Sequence, residues 1–253
     1  MPTIPSIIHY CWFGKNPKPT CFSRCLDSWR RFAPECRIRE WNETNLPFSE
    51  APFLRAAIAA EAWAFVSDFV RVQILAEHGG VYVDTDLELT APLTPLLKNR
   101  AFLEFEKNTV AFGIVGAEPE HPLLQRLQEQ YRAATFPAIP GETPRTIVNR
   151  TTDLLIDEYG LRSFGGEVLL RDGVRIYPAD VLLVDSGNGR NRAIHWYAAS
   201  WKSDFDRDAF LESVKHDPPA FPGRRWFYEQ GKRWLQLHAP ALYRKWRDRA
   251  GRN

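Results

Sequence analysis

The feature that most constrains this chain is Ser67-Asp68-Phe69-Val70-Arg71 followed by Gly79-Gly80-Val81-Tyr82-Val83-Asp84-Thr85-Asp86-Leu87-Glu88. The pattern predicts a helix over 61–78 that stops at Gly79, a natural residue just past a helix end. A short β-branched strand over 81–89 is expected to follow, carrying Asp84 and Asp86. Residues two apart share one face of a strand, so both carboxylates, with Glu88 behind them, are expected to point the same way. Carboxylates gathered in this way repel unless a cation or a hydrogen-bond network lies between them. Oxygen ligands of this kind suit Mg²⁺ or Mn²⁺, which keep several waters and complete their shell with phosphates.

An isolated acidic pair carries little weight. Acidic residues number 31 of 253, so carboxylates two apart recur by chance. Glu104/Glu106, Glu118/Glu120 and Asp204-Phe205-Asp206-Arg207-Asp208 are such pairs. Asp206 or Asp208 reads as an N-cap for a helix over 209–214. The context of Asp84 and Asp86 is what sets them apart.

Around that motif, hydrophobic periodicity predicts an alternation of strands and helices. Strands are expected at 4–12, 37–41, 81–89, 101–106, 110–115, 174–177, 181–184 and 193–196. Helices are expected at 21–32, 51–60, 61–78, 121–134 and 146–158. Such alternation indicates an α/β sheet covered on both faces, with ligands at the carboxyl ends of the strands. Trp12 and the Asp84/Asp86 pair both fall at expected strand ends and so point to one crevice.

The spaced pattern S-D-x-x-R-x₇-G-G-x-Y-x-D-x-D resembles the core of the sugar-nucleotide glycosyltransferases with a D-x-D sugar-binding motif. That group includes Och1-type mannosyltransferases, capsule and lipopolysaccharide sugar transferases and, more distantly, the glucosylating clostridial toxins. A second block, Ile4-Pro5-Ser6-Ile7-Ile8-His9-Tyr10-Cys11-Trp12-Phe13-Gly14, is similar to the family's first strand. A weaker third match is Ile194-His195-Trp196-Tyr197-Ala198-Ala199-Ser200-Trp201, similar to a late H-x-x-x-x-S-W segment. The resemblance implies a GT-A, Rossmann-like fold holding a nucleotide sugar and Mn²⁺ or Mg²⁺, with retention at the anomeric carbon. It implies that Asp86 binds the metal directly and that Asp84 is a ligand, a water-mediated ligand or a ribose contact. It places Asp68 and Arg71 on the donor sugar, where the local alternative is an ion pair between residues three apart on a helix. Trp12, beside Cys11, aligns with the residue that stacks on the base. Tyr82 either packs on the nucleoside or belongs to the core. Ser200 and Trp201 match residues that contact metal, phosphate or sugar, and His195 is either a third metal ligand or a core residue. His9, inside the first strand, reads as a buried, satisfied histidine. The segment 185–190 reads as a flap or a surface turn. One departure stands out: relatives place an Asn in the strand facing the donor, and this chain has Ala111-Phe112-Gly113-Ile114, with Asn108 out of register.

A chain of 253 residues is long enough for one sizeable core. The expected organisation is a catalytic domain over 1–203 and a mainly helical, basic C-terminal segment over 204–253. A net charge of +2 gives no reason to expect a nucleic-acid partner. Neither a stretch of apolar residues long enough to span a membrane nor a signal-peptide pattern is found, so a cytoplasmic location is expected. The four cysteines, Cys11, Cys21, Cys25 and Cys36, are expected to be reduced and buried. Residues 224–253 carry nine Lys and Arg against Glu229 and Asp248, interleaved with aromatic and aliphatic residues. That pattern fits either peripheral contact with an anionic membrane, the inner face of the cell membrane, or packing on the catalytic domain. The expected donor is a UDP-sugar, with GDP-mannose second. The expected acceptor is a glycan, free or lipid-linked, in cell-surface polysaccharide synthesis. The alternatives are a sugar-nucleotide binding protein that has lost transfer and a toxin-like protein glycosyltransferase. A metal-dependent phosphohydrolase requires an acidic nucleophile directly after the first strand, where this chain has Cys11-Trp12-Phe13.

Overall fold

The computed structural model describes residues 3–14, 16–46, 50–136 and 144–198. The tail at 204–253, with its expected membrane contact and the Asp206/Asp208 cap, lies outside the described residues, as do Ser200 and Trp201.

Helices and strands alternate as the periodicity requires. The order is β1 (Ile7–Cys11), α1 (Phe22–Phe32), β2 (Arg37–Trp41), α2 (Pro52–Ala59), α3 (Trp63–His78), β3 (Gly80–Val83) and β4 (Leu87–Leu89). It continues with β5 (Ala101–Glu106), β6 (Thr109–Ala117), α4 (Pro122–Arg132), α5 (Ile147–Asp157), β7 (Val168–Leu169), β8 (Val174–Tyr177), α6 (Ala179–Leu182) and β9 (Ala193–His195). A seven-stranded sheet runs β2-β1-β3-β6-β5-β8-β7, and β4 pairs with β9 in a separate two-stranded ladder. β1 is parallel to β2 and β3, β5 is parallel to β8, and β6 runs antiparallel between β3 and β5. This is the Rossmann-like α/β class that the sequence implies. Apolar clusters cover both faces. Phe53, Phe69, Leu123 and Leu155 lie on one side, and Trp29, Leu87, Leu96 and Val181 on the other.

Two expectations need correction. The strand expected at 181–184 is the end of the short helix α6, because the amides of Leu183 and Val184 both bond back to the Ala179 carbonyl. The strand expected at 81–89 is two strands with a turn between them, closed by the Leu87 amide on the Asp84 carbonyl at 3.0 Å. Asp84 and Asp86 therefore do not share a strand face. They converge because the chain turns between them. Glu88, now on β4, points elsewhere: it accepts from Trp196 Nε1 at 2.8 Å and pairs with Arg24 at 3.1 Å.

β6 is irregular where it passes the end of β3. Phe102 faces Gly116 and Glu104 faces Ala111, so Phe112 to Val115 oppose the single residue Leu103. Such widened stretches re-aim the chain and recur beside functional sites. The cysteines are free, with Cys11 and Cys25 buried and Cys21 and Cys36 half-buried. His9 is buried, with Nε2 3.0 Å from the Gly79 carbonyl and Nδ1 accepting from Trp41 Nε1. Burial pushes its pKa down to about 4, so it stays neutral, the satisfied histidine expected.

The α3–β3 junction depends on its glycines. Gly80 has φ of 95°, and a Cβ there would lie 2.8 Å from the Ile7 carbonyl oxygen and 2.9 Å from His9 Nε2. Neither neighbour is free to yield. Gly80→Ala is expected to cost about 2 kcal/mol or more, from backbone strain plus overpacking. Urea denaturation measures this, and a loss under about 0.5 kcal/mol, the size of an ordinary surface change, would contradict it.

Candidate active site

The site is assembled where β3, β6 and β9 come together. β4 pairs antiparallel with β9, with Leu87 facing His195. The Trp196 amide bonds the Asp86 carbonyl at 2.8 Å, which ties the segment after β9 to the turn. The pairing delivers His195 to the acidic pair. His195 Nε2 lies 3.1 Å from Asp86 Oδ1 and 4.0 Å from Asp84 Oδ2. Asp86 Oδ2 accepts the Ala198 amide at 2.8 Å, and the imidazole stacks on Tyr197 with centroids 4.1 Å apart. One ligand atom from each of Asp84, Asp86 and His195 falls within 4.8 Å of the others.

Asp84 is anchored from the other side. Its amide bonds the Gly113 carbonyl at 2.8 Å. Its Oδ1 accepts from Tyr82 Oη at 2.8 Å and lies 3.3 Å from Arg71 Nη1. Arg71 is buried on α3. Nη1 donates to the Phe112 carbonyl at 3.1 Å, Nη2 is 3.7 Å from Asp68 Oδ1, and the guanidinium sits 4.4 Å from the Tyr82 ring centroid. Asp68 Oδ2 accepts the Ile147 amide at 3.0 Å, at the start of α5. The local alternative for Asp68 and Arg71, an ion pair, is present, but as one link in a chain running from α5 through α3 to Asp84. Tyr82 is buried in the core, the second of its two readings, with its hydroxyl on Asp84.

Gly113 explains how the ring fits. A Cβ there would lie 3.2 Å from His195 Cε1 and Nδ1 and 3.4 Å from Asp84 Oδ2. The missing side chain at Gly113 leaves the space that the imidazole occupies. Trp12 follows β1 and is half-buried, its Nε1 donating to the Asn16 carbonyl at 2.9 Å. Cys11 is buried at the end of β1. The register of β1 on β3, with His9 facing Tyr82, continues to place Cys11 beside Asp84. The 185–190 segment is an exposed turn, closed by the Gly187 amide on Asp185 and the Arg190 amide on Asn188.

Glu104 is the residue that sequence reasoning passed over as half of a chance acidic pair. It is fully buried on β5, and Oε1 accepts the Ile114 amide at 3.4 Å. Its signal was present: a glutamate between Leu103 and Phe105 in a strand that is otherwise apolar up to its last residue.

Charges in the cluster are strongly coupled. Burial opposes a charged His195 ring, but the Asp86 and Asp84 carboxylates outweigh it and push its pKa up to about 9. Burial acts against the Asp86 carboxylate too, yet His195 and the Ala198 amide hold it below the usual range. Asp84 is raised by burial despite Arg71 and His195. Without metal, His195 is therefore a protonated partner of the two aspartates.

Residues 19–103 match the family described as "Glycosyltransferase sugar-binding region containing DXD motif". The chain is 28% identical over 134 residues to an uncharacterized glycosyltransferase, L373, of Acanthamoeba polyphaga mimivirus, covering 47% of this chain and 52% of that protein. It is 29% identical over 129 residues to mannosyl phosphorylinositol ceramide synthase CSH1 of Saccharomyces cerevisiae, covering 49% of this chain and 34% of that protein. The chain thus spans about half or less of the length of these curated relatives. Among solved structures, the PaToxG glycosyltransferase aligns with a TM-score of 0.46 at 14% identity, over 61% of this chain and 69% of that one. The galactosyltransferase LgtC aligns with a TM-score of 0.39 at 11% identity, over 88% of this chain and 99% of that one. The likeness to the D-x-D glycosyltransferases read from the sequence is borne out, and Asp68, Arg71, Asp84 and Asp86 all lie within the matched region.

The raised His195 pKa makes metal-free stability depend on pH. The ion-pair contribution is fully present below pH 6.5 and is lost as pH rises through about 9. Metal-free wild type is therefore expected to be more stable than His195→Gln at pH 6, by on the order of 1–3 kcal/mol, with the advantage shrinking towards pH 9. Denaturation at several pH values in a chelator checks this, and an advantage that does not vary with pH would contradict it.

Proposed function

We propose that this protein is a metal-dependent, anomer-retaining glycosyltransferase that moves a sugar from a nucleotide-sugar donor to a glycan acceptor. The observation that carries the reading is the convergence of Asp84, Asp86 and His195 at the carboxyl end of β3. The two carboxylates suit Mn²⁺ or Mg²⁺, and the imidazole nitrogen beside them favours the softer Mn²⁺ of the two. A bound divalent cation there would neutralise the charge that builds on a departing diphosphate. Asp86 and Asp84 would hold it, with His195 as third ligand once its ring gives up its proton. Asp86 is the more readily ionised aspartate and the better candidate for direct coordination.

The remaining roles follow from position. Arg71 and Asp68 orient the site by holding Asp84 and the β6 backbone, and present the donor-sugar side of the crevice. Trp12, half-exposed at the neighbouring strand end, is the candidate platform for the base, with Cys11 and Tyr82 in the wall behind it. Ser200 and Trp201 complete the donor contacts by resemblance. The favoured donor is a UDP-sugar. GDP-mannose stays in the test set because CSH1 is named for a mannosyl product. That name also names a lipid, ceramide, which fits a lipid-linked acceptor. Cell-surface polysaccharide synthesis is the proposed setting, at the inner face of the cell membrane, which the basic 224–253 segment would contact. Among the described residues no helix is long and apolar enough to cross a membrane.

A thermal-shift and hydrolysis panel of UDP- and GDP-sugars with Mn²⁺ tests the reading. Wild type is expected to be stabilised by donor only when metal is present, and Asp86→Ala to lose both that shift and turnover while staying folded. Trp12→Ala is expected to weaken UDP binding by about tenfold or more, since a stacked base is worth about 1–3 kcal/mol. Normal Mn²⁺-dependent turnover in Asp86→Ala would sink the metal assignment, and unchanged UDP affinity in Trp12→Ala would move the base elsewhere. Donor binding without transfer or hydrolysis would favour the binding-protein alternative, and an inverted product would overturn the retaining mechanism.

A further inference from the structure

β6 is hydrogen-bonded on both edges, to β3 and to β5, but its register against β5 breaks between Ala111 and Gly116. Within that break, the Gly113–Ile114 peptide unit does two things. Its carbonyl receives the Asp84 amide at 2.8 Å, and its N–H points the other way, to Glu104 Oε1 at 3.4 Å. A regular ladder would supply a backbone carbonyl from β5 at that place. The widened strand has none to offer, and a buried side chain takes the role. Glu104 is fully buried, and its second oxygen, Oε2, has no hydrogen-bond partner among the described residues.

We propose that Glu104 is a positioning residue for the metal site, acting through this one peptide unit. It holds the Gly113–Ile114 peptide so that the Gly113 carbonyl meets the Asp84 amide and the Cα of Gly113 stays clear of the His195 ring. Glu104 touches neither metal nor donor. It sets where two of the three proposed ligands stand, and in that respect the inference rests on the metal reading above. Only an acceptor oxygen of Glu104 is used, by the Ile114 amide, and burial pushes the carboxyl well above the usual range. A carboxamide of the same shape should therefore replace it, whereas an apolar side chain of similar size should not.

The test compares Glu104→Gln and Glu104→Leu with wild type by Mn²⁺ titration and by hydrogen exchange at the Asp84 and Ile114 amides. Outer partners of metal ligands typically change affinity by about 10–100-fold when removed. Glu104→Leu is expected to bind Mn²⁺ about tenfold or more weakly, and Glu104→Gln within about twofold of wild type. The Asp84 and Ile114 amides are expected to exchange faster in the leucine variant and at the wild-type rate in the glutamine variant. A purely structural role would lower thermal stability without moving Mn²⁺ affinity or these two amides selectively, and that result would overturn the proposal. So would a glutamine variant as impaired as the leucine one. Should Glu104→Leu fail to fold, Glu104→Asp carries the same expectation, because it draws the carboxyl back from Ile114 by one methylene. If wild type itself binds no divalent cation, the metal reading fails, and exchange at Asp84 still decides whether Glu104 holds the turn.

Discussion

Where β6 widens opposite β5, four of its residues lie across from one, and the regular ladder cannot serve them. A buried N–H or C=O left without a partner costs about 1–3 kcal/mol. Two of these groups are given to side chains: the Phe112 carbonyl takes Arg71 and the Ile114 amide takes Glu104. The Gly113 carbonyl, on the β3 edge, takes the Asp84 amide. A local failure of sheet pairing thereby becomes the frame that joins α3, β3 and β5 around the carboxylates. The absence of a side chain at Gly113 then leaves room for His195 to enter from β9.

The same frame explains how so much charge is tolerated in a covered place. A buried ion is costly unless partners surround it. Arg71 has Asp84, Asp68, the Phe112 carbonyl and the face of Tyr82 around it. Asp68 also caps the start of α5 through the Ile147 amide. Removing any member leaves the others exposed to that cost, so this network holds the fold together, and in the proposed reading it also sets the site. The three carboxylates of Asp68, Asp84 and Asp86 have one permanent positive partner between them, Arg71, which lies beside Asp84 and Asp68. A protonated His195 supplies another when no metal is present, and a divalent cation would supply more.

Much of this was legible in the chain. The Gly79-Gly80 junction, the helix carrying Asp68 and Arg71, and the late strand carrying His195 all read from spacing and periodicity. The signal is strong there because each segment is long or punctuated by glycine. What period-2 reasoning could not see was the turn between Asp84 and Asp86. Val81 to Leu89 alternates well enough to pass for one strand, and only tertiary pairing of Leu87 with His195 breaks it in two. Residues 181–184 failed for a related reason: four apolar residues suit a buried helix end as well as a strand. Glu104 hides among acidic pairs that recur by chance, and only its place between Leu103 and Phe105 in a core strand sets it apart. The widening of β6, which gives Glu104 its role, leaves no mark in one sequence beyond Gly113.

The claim on which the rest turns is that Asp84, Asp86 and His195 together hold a divalent cation. Anomalous diffraction at the manganese edge, from crystals soaked in Mn²⁺ with and without UDP, tests it most directly. The account predicts a single strong peak between the three side chains, with Asp86 in direct contact and the peak reinforced by the nucleotide. A peak elsewhere, or none at this position while UDP is clearly bound beside Trp12, would contradict it.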